Sequence, residues 1–177
     1  PNLVKELVIT YVNQLWVCDI TYIYTIDDKF CYLHLVTDAF SRMIIGYILA
    51  PTLEAKYTIE ALQQAISHAG SGNLCGTIHH SDRGVQYCCD EYITLLKEHH
   101  IRISMTEDSN PTDNGMAERV NGIIKNEFLE PLQTPKNLLE ALPLVDHAVR
   151  TYNMLRPHLN LNMRTPAQVY EGKQIIL

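Results

Sequence analysis

Segments rich in β-branched and aromatic residues alternate with short polar connections in the first part of the chain. They read LWVCDITYIYT from Leu15 to Thr25, FCYLHLV from Phe30 to Val36 and MIIGYIL from Met43 to Leu49. This pattern predicts three β-strands, and the short polar connections favour an antiparallel meander. Asp38 lies in the second connection, where an aspartate most simply caps the turn and is expected to lie outside any functional site.

Apolar positions switch to helical spacing after Pro51. Residues 53–70 place alanine, leucine and isoleucine on one face and end at Gly70, a typical helix stop. The sequence then predicts a short buried strand from Leu74 to His80, a second helix within residues 87–100 and a strand from Ile101 to Met105. Strands that alternate with helices in this way predict a parallel portion of the sheet.

Two more helices are predicted farther on, from about Met116 to Leu129 and from about Asn137 to Leu155. At about 100° per residue, the apolar face of the first consists of Met116, Val120, Ile123, Ile124 and Phe128. The opposite face consists of Asn114, Glu118, Asn121, Gly122 and Lys125. Glu118 is therefore expected to point away from the core.

No internal repeat or second-domain boundary interrupts the pattern. Residues 1–177 are therefore predicted to form one domain, with a core at about 10–155 and a tail at 156–177 that wraps the surface. The composition, 46% hydrophobic and 19% charged, supports a full core and excludes disorder. No apolar run reaches the roughly 18 residues of a membrane span. Because the chain begins at Pro1, we expect an excised domain.

Cysteine and charge counts narrow the function classes. Five cysteines, an odd number, lack the CxxC spacing of zinc or dithiol sites, so reduced thiols and a cytoplasmic protein are expected. The net charge of −6 alone argues weakly against a nucleic-acid partner. However, residues 1–112 hold 7 basic and 13 acidic residues, against 7 and 7 in residues 113–177. Two bound dications would add +4 and bring −6 to −2.

Three carboxylates stand out by position. Asp19 lies among apolar residues in the middle of the first strand, where an acid is costly unless a cation or hydrogen-bond donors compensate it. Asp82 directly follows the fourth strand, and Glu118 lies on the polar face of its helix. Singly, each has a structural explanation: a backbone-bonded strand acid, a turn or helix cap, and a solvated helix acid. Together they predict one site at the sheet edge.

All-oxygen clusters of this kind suit hard cations such as Mg²⁺ or Mn²⁺ rather than zinc. Two such ions support phosphoryl transfer, because one activates the attacking oxygen and the other stabilises the leaving oxygen. No protein nucleophile is then required. The sequence offers no Ser/His/Asp or Cys/His arrangement and no Walker-type loop, and no organic cofactor is expected.

Several ordered motifs resemble those of the DDE transposases and retroviral-type integrases, and in particular the insertion-sequence transposases of the IS3 group. Thirty-five residues separate Asp82 from Glu118, as in that family's signature. The matching segments are WVCDITY, VTDAFSRMIIGY, HSDRGVQY, DNGMAER and YNMLRPHLNLNMRTP, which together span about residues 10–170.

The resemblance implies an α/β, ribonuclease-H-like fold with a five-stranded mixed sheet, three antiparallel strands then two parallel ones, and helices on both faces. It implies that Asp19, Asp82 and Glu118 bind two Mg²⁺ or Mn²⁺ ions. The implied chemistry is cleavage at transposon ends and attack of the freed 3′-hydroxyl on target DNA. It further implies DNA as partner, a homo-oligomer on DNA, and a place in the bacterial cytoplasm near the nucleoid. An N-terminal DNA-binding region outside this chain is implied as well.

Two departures from the family pattern bear on these expectations. The loop before the Glu118 helix reads Thr106–Ser109 (TEDS) where many relatives have a basic run, which weakens the case for phosphate contacts there. His100 replaces a frequent glycine at the exit of the second helix, so a different helix end is expected.

Further polar residues are candidates for DNA contact. Lys125 lies two turns from Glu118 on the same face, and a solvated lysine is the alternative. Asn121 and Asn114 share that face, with helix capping as the alternative for Asn114. Arg83 and His80 flank Asp82, and a backbone-bonded histidine is the simpler explanation for His80. Similarly, Arg156 and His158 are expected to hold the tail in place or to contact DNA.

Two other function classes share some of these features. A ribonuclease H or junction-resolving nuclease would use the same fold and two-ion chemistry, but the thirty-five-residue interval and the tail motif favour the transposase. An inactive DNA-binding relic would be supported by loss of an acid, and all three acids are present.

Overall fold

One mixed β-sheet organises the protein. The computed structural model describes residues 1–70, 74–107 and 114–172. Five strands lie in the order β3-β2-β1-β4-β5. Their bounds are β1 Leu15–Thr25, β2 Lys29–Asp38, β3 Ile44–Ala50, β4 Ile78–Ser81 and β5 Arg102–Met105. The first three strands are antiparallel, and β4 and β5 run parallel to β1, as predicted.

Helices cover both faces of this sheet. Their bounds are α1 Ala55–Ala69, α2 Asp90–Glu98, α3 Gly115–Ile123, α4 Leu138–Met154 and α5 Pro166–Tyr170, with short 3₁₀ turns at Val85–Tyr87 and Leu159–Leu161. Because side chains alternate along a strand, β1 contributes to both faces. Trp16 packs with α1 and α2, whereas α3 and α4 pack against Leu33 and Leu35 of β2.

Close packing of α1 on β3 depends on a glycine. A Cβ atom on Gly46 would lie 2.1 Å from the carbonyl oxygen of Ala61, so no larger residue fits at this crossing. The helix then covers Trp16 and Met43, which are buried as expected for core residues. Within the described residues, no helix combines the length and apolarity that a membrane crossing requires.

Two predicted elements differ in the structure. The strand expected from Leu74 is shorter, because a turn at residues 75–76, with Gly76 at φ 91°, delays β4 to Ile78. The single helix expected from Met116 to Leu129 begins at Gly115, and its second part, Ile124–Leu129, is a π-helix. Asp38, by contrast, caps its turn as predicted, since its Oδ1 accepts from the Ser41 backbone N–H at 2.8 Å.

The expectation of a different helix end at His100 is wrong. His100 adopts the left-handed conformation, with φ 56°. The N–H of Ile101 donates to the Leu96 carbonyl at 2.9 Å, and that of His100 donates to Lys97 at 3.0 Å. This is the Schellman pattern that usually has glycine at the left-handed position. The helix end is therefore retained, and histidine bears the backbone strain.

Replacing His100 with glycine should therefore stabilise the protein. The imidazole is exposed, so its loss removes no core packing. Relief of the left-handed conformation should raise the free energy of unfolding by about 0.5–1 kcal/mol, measured by chemical denaturation. His99→Gly is the matched control and should destabilise, because His99 has φ −94°. A His100→Gly protein no more stable than wild type would contradict this account.

Candidate active site

The first two acids lie at the same end of the central strands. β4 pairs with β1 only from Leu15 to Val17, so Asp19 lies just beyond the point where this pairing ends. Asp82 directly follows Ser81, the last residue of β4. Both carboxylates therefore occupy the gap that the short β4 leaves beside β1. This is the carboxyl end of a parallel pair, where sheets of this class place their sites.

Helix α3 places the third acid over this gap. Asn121 Nδ2 donates to Asp19 Oδ2 at 2.6 Å, and Asn114 Nδ2 donates to the Cys18 carbonyl at 3.1 Å. The two bonds fix α3 to β1 near Asp19. Glu118 lies on α3 between these asparagines, and its side chain is exposed. The predicted orientation of Glu118, away from the core, is thus observed.

Burial and the neighbouring acids both perturb Asp19. Burial raises the pKa of Asp19 to about 6, against the hydrogen bonds that it accepts from the Ile20 backbone and from Asn121. The negative charges of Asp82 and Glu118 raise it further. Asp82 and Glu118 are therefore close enough for their charges to act on Asp19. Among the described residues, however, no three Asp, Glu, His or Cys side chains are close enough to hold a metal ion as they stand.

Asp82 is positioned by its own loop. Its Oδ1 accepts from the Gly84 N–H at 2.8 Å, and a Cβ atom on residue 84 would lie 2.9 Å from that oxygen. A glycine at this position therefore lets the backbone approach the carboxylate. Arg83 points to the neighbouring loop, where its Nε donates to the Thr106 carbonyl at 2.8 Å. The expected DNA contact of Arg83 stays a prediction.

The two asparagines have a role that the sequence pattern did not indicate. Asn114 and Asn121 are 8% and 6% exposed, so they lie beneath α3 rather than on its outer face. Asn114 occupies the position before α3 but makes no side-chain cap bond. Asn121 holds the Asp19 carboxylate directly, and Asn114 fixes α3 to the neighbouring Cys18 carbonyl of β1. Their expected DNA contacts stay predictions, as does that of half-buried Lys125.

The remaining candidates have structural partners. His80 Nδ1 lies 2.8 Å from Ser104 Oγ, a side chain of β5, and the expected backbone partner of His80 stays a prediction. Arg156 forms a two-pronged ion pair with Glu127, at 2.6 and 2.7 Å. The His158 ring packs edge-on against Tyr152, with centroids 5.1 Å apart. Arg156 and His158 thus hold the tail in place.

The sheet has the ribonuclease-H-like strand order, and the candidate acids lie near the carboxyl ends of its inner strands β1 and β4. This combination indicates a nucleic-acid-processing enzyme of the integrase class. Two family models, each described as Integrase core domain, match residues 10–111 and 99–166. The chain therefore belongs to the integrase core domain family, as its motifs indicated.

The relatives of this chain are transposases and integrases. A protein assigned as the transposase of insertion element IS986/IS6110 in Mycobacterium tuberculosis is 38% identical over 67% of this chain and 44% of its own length. Transposase InsF of insertion sequence IS3A in Escherichia coli is 31% identical over 92% of this chain and 55% of its own. The chain thus spans about half the length of these relatives.

A solved structure supports the fold. The HTLV-2 integrase catalytic core domain, determined in complex with magnesium, is 26% identical and superimposes with a TM-score of 0.67. The match covers 90% of this chain and 97% of that domain. The ribonuclease-H-like expectation is therefore confirmed.

Proposed function

We propose that this chain is the metal-dependent catalytic core of a transposase, which cleaves element ends and joins the freed 3′-hydroxyl to target DNA. The observation that carries the proposal is the half-buried Asp19, whose pKa is raised by burial and by the charges of Asp82 and Glu118. Three mutually repelling carboxylates at a sheet edge are costly unless a cation shares them. The family and its transposase members support the same chemistry.

The donor set fits Mg²⁺ or Mn²⁺. All three side chains offer carboxylate oxygens, which hard dications prefer. Asp82 and Glu118 are exposed, so a change of rotamer can bring them toward Asp19. When bound, a pair of such ions would activate the attacking oxygen and stabilise the leaving one.

The protein's own residues supply orientation. Asn121 holds one oxygen of Asp19, and the Gly84 N–H holds one oxygen of Asp82. The Asp19 carboxylate is therefore positioned before substrate arrives, which lowers the entropic cost of forming the reactive arrangement. The exposed Glu118 is presented from α3, a helix anchored to β1 by two hydrogen bonds.

DNA is the proposed substrate, with transposon ends and target DNA as its two forms. The net charge of −6 opposes binding, but two dications held by Asp19, Asp82 and Glu118 would bring it to −2 and would make the site positive where the scissile phosphate lies. We further propose that the protein acts as a homo-oligomer on DNA, in the cytoplasm beside the nucleoid. The presence of all three acids supports an active enzyme over a binding relic.

A strand-transfer assay tests this proposal. The full native protein, its own element ends and a supercoiled target are incubated with Mg²⁺, Mn²⁺ or EDTA. We expect joined products with either metal and none with EDTA. Hydrolysis of RNA–DNA hybrids without any strand transfer would instead favour the ribonuclease H alternative.

A further inference from the structure

A cavity lies on the side of α3 that is turned away from Glu118. It has a volume of about 940 Å³ and is enclosed by the N-terminal segment, α3, the end of α4 and the tail after it. Apolar side chains such as Leu15 and Val17 form part of its wall. Its charged lining consists of Arg42, Arg119 and Arg156, with His80 and His158 beside them. No aspartate or glutamate is found among the described lining residues.

The charge of this cavity opposes that of the whole protein. The chain carries −6, yet three arginines from separate segments meet here. Arg156 is neutralised by Glu127. Across the described part of the chain, no ion pair within 4.0 Å involves Arg42 or Arg119. Two arginines therefore face the cavity without an acidic partner.

Arg42 is the more unusual of the two. Its pKa is lowered by burial and by the nearby charge of Arg119. Asp38 is the acid near it, but that carboxylate already accepts from Ser41 and from the Asn13 N–H. A half-buried guanidinium beside another cation is costly until an anion compensates it.

The backbone of Arg42 is strained as well. Its φ is 66°, in the left-handed region where glycine is favoured, and its carbonyl is held by the Tyr152 hydroxyl at 3.0 Å. Neither the backbone nor the hydrogen bond to its carbonyl requires an arginine side chain. Strained positions of this kind are concentrated at functional sites.

The cavity and the candidate active site share helix α3. Glu118 and Arg119 are consecutive, and Asn114 and Gly115 at the start of α3 also line the cavity. The backbone N–H groups at a helix N-terminus attract anions, and arginine forks match the oxygens of a phosphate. A DNA strand crossing α3 would thus pass from the acids to the cationic cavity within a few nucleotides.

We propose that Arg42 and Arg119 bind a backbone phosphate of a DNA strand whose scissile bond lies beside Asp19, Asp82 and Glu118. The inference rests on the proposed function, since it takes DNA as the ligand. It adds a phosphate subsite on the opposite side of α3 from the acids.

Binding without chemistry tests this subsite. The 177-residue chain is titrated with a fluorescent single-stranded oligonucleotide at low salt and in EDTA, and anisotropy is recorded. Arg42→Gly and Arg119→Gln should each weaken binding by about tenfold. Each should also reduce the slope of log affinity against log salt by about one. Arg150→Gln, which removes an exposed arginine of α4 paired with Asp146, is the matched control and should bind like wild type.

Melting temperatures separate binding from folding. Arg42→Gly should melt at or above the wild-type temperature, because glycine relieves the left-handed strain. Inorganic phosphate at millimolar concentration should compete with the oligonucleotide for wild type and not for Arg42→Gly. Equal oligonucleotide affinity in wild type and both variants would overturn the proposal, as would displacement by a polyglutamate peptide at lower concentrations than by unlabelled DNA.

The titration and the strand-transfer assay together distinguish failure of the phosphate subsite from failure of the proposed chemistry. Glu60→Gln, at an exposed glutamate of α1 away from the cavity, should retain oligonucleotide binding in EDTA. If strand transfer fails in the wild-type protein but Arg42 and Arg119 still govern binding, the subsite stands and the proposed chemistry fails. If transfer succeeds and binding ignores both arginines, only the subsite is wrong.

Discussion

Replacement of Glu118 by glutamine is expected to abolish strand transfer, with a loss of at least about 10³-fold, and to leave the fold intact. A neutral amide is a poor ligand for a hard dication, so an ion that Glu118 helps to hold would be lost or misplaced. Glu118 is exposed on α3, and its apolar neighbours Val120 and Ile124 face the sheet. Stability should therefore change by less than about 0.5 kcal/mol.

A second exposed helical glutamate controls for the substitution itself. Glu60 lies on α1, which covers the opposite face of the sheet, and Glu60→Gln should retain wild-type transfer. Thermal melting of both variants is measured beside the transfer assay. A folded Glu118→Gln protein that joins DNA at a near-normal rate would show that Glu118 does not bind catalytic metal.

Substitution of Asp19 by asparagine is expected to stabilise the metal-free protein at neutral pH. The folded-state pKa of Asp19 is about 6, against an ordinary value of 3.8. The folded state therefore holds a proton that the unfolded state releases between these pH values. This contribution to stability is complete below pH 3.8 and is lost as the pH rises through 6, by on the order of 3 kcal/mol. Asparagine stays neutral throughout.

The measurement is the difference in unfolding free energy between Asp19→Asn and wild type at each pH from 4 to 8, in EDTA. It should grow from pH 4 to pH 6 and then level off. Taking the difference cancels the opposing effect of His34 and His79, whose burial lowers their pKa values to about 4 and about 3. A difference that does not vary with pH would show that Asp19 is not perturbed.

Metal should reduce this difference in stability between Asp19→Asn and wild type. A ligand that binds only the native state stabilises it by an amount that grows with the logarithm of its concentration over its dissociation constant. Millimolar Mn²⁺ is therefore expected to raise the melting temperature of wild type at pH 7 and to leave Asp19→Asn unchanged.

Much of the fold could be predicted because the local patterns were strong. The richness of LWVCDITYIYT in β-branched and aromatic residues predicted β1 from Leu15 to Thr25, the bounds observed. The meander, the parallel pair and α4 were likewise evident from periodicity and short connections. The start of β4 was missed because Leu74 is buried like a strand residue although the chain turns just after it. The π-helix at Ile124–Leu129 has no signature in apolar spacing.

The acids of the candidate site could be predicted from the sequence, but the residues that position them could not. An acid amid apolar residues, another after a strand and a third on a polar helix face were visible in sequence. The bond of Asn121 to Asp19 depends on how α3 crosses β1, which no local pattern specifies. The meeting of Arg42 and Arg119 in one cavity likewise requires the assembled fold, because 76 residues separate them along the chain.

Location of Mn²⁺ by anomalous scattering tests whether Asp19, Asp82 and Glu118 together bind the catalytic metal. Crystals of this chain soaked in Mn²⁺ are predicted to show an anomalous peak at about 2.1–2.2 Å from carboxylate oxygens of Asp19 and Asp82, with Glu118 turned toward it. Soaked Glu118→Gln crystals should show weaker or displaced density. Mn²⁺ bound elsewhere, with the three carboxylates far apart and none of them coordinating it, would contradict the account.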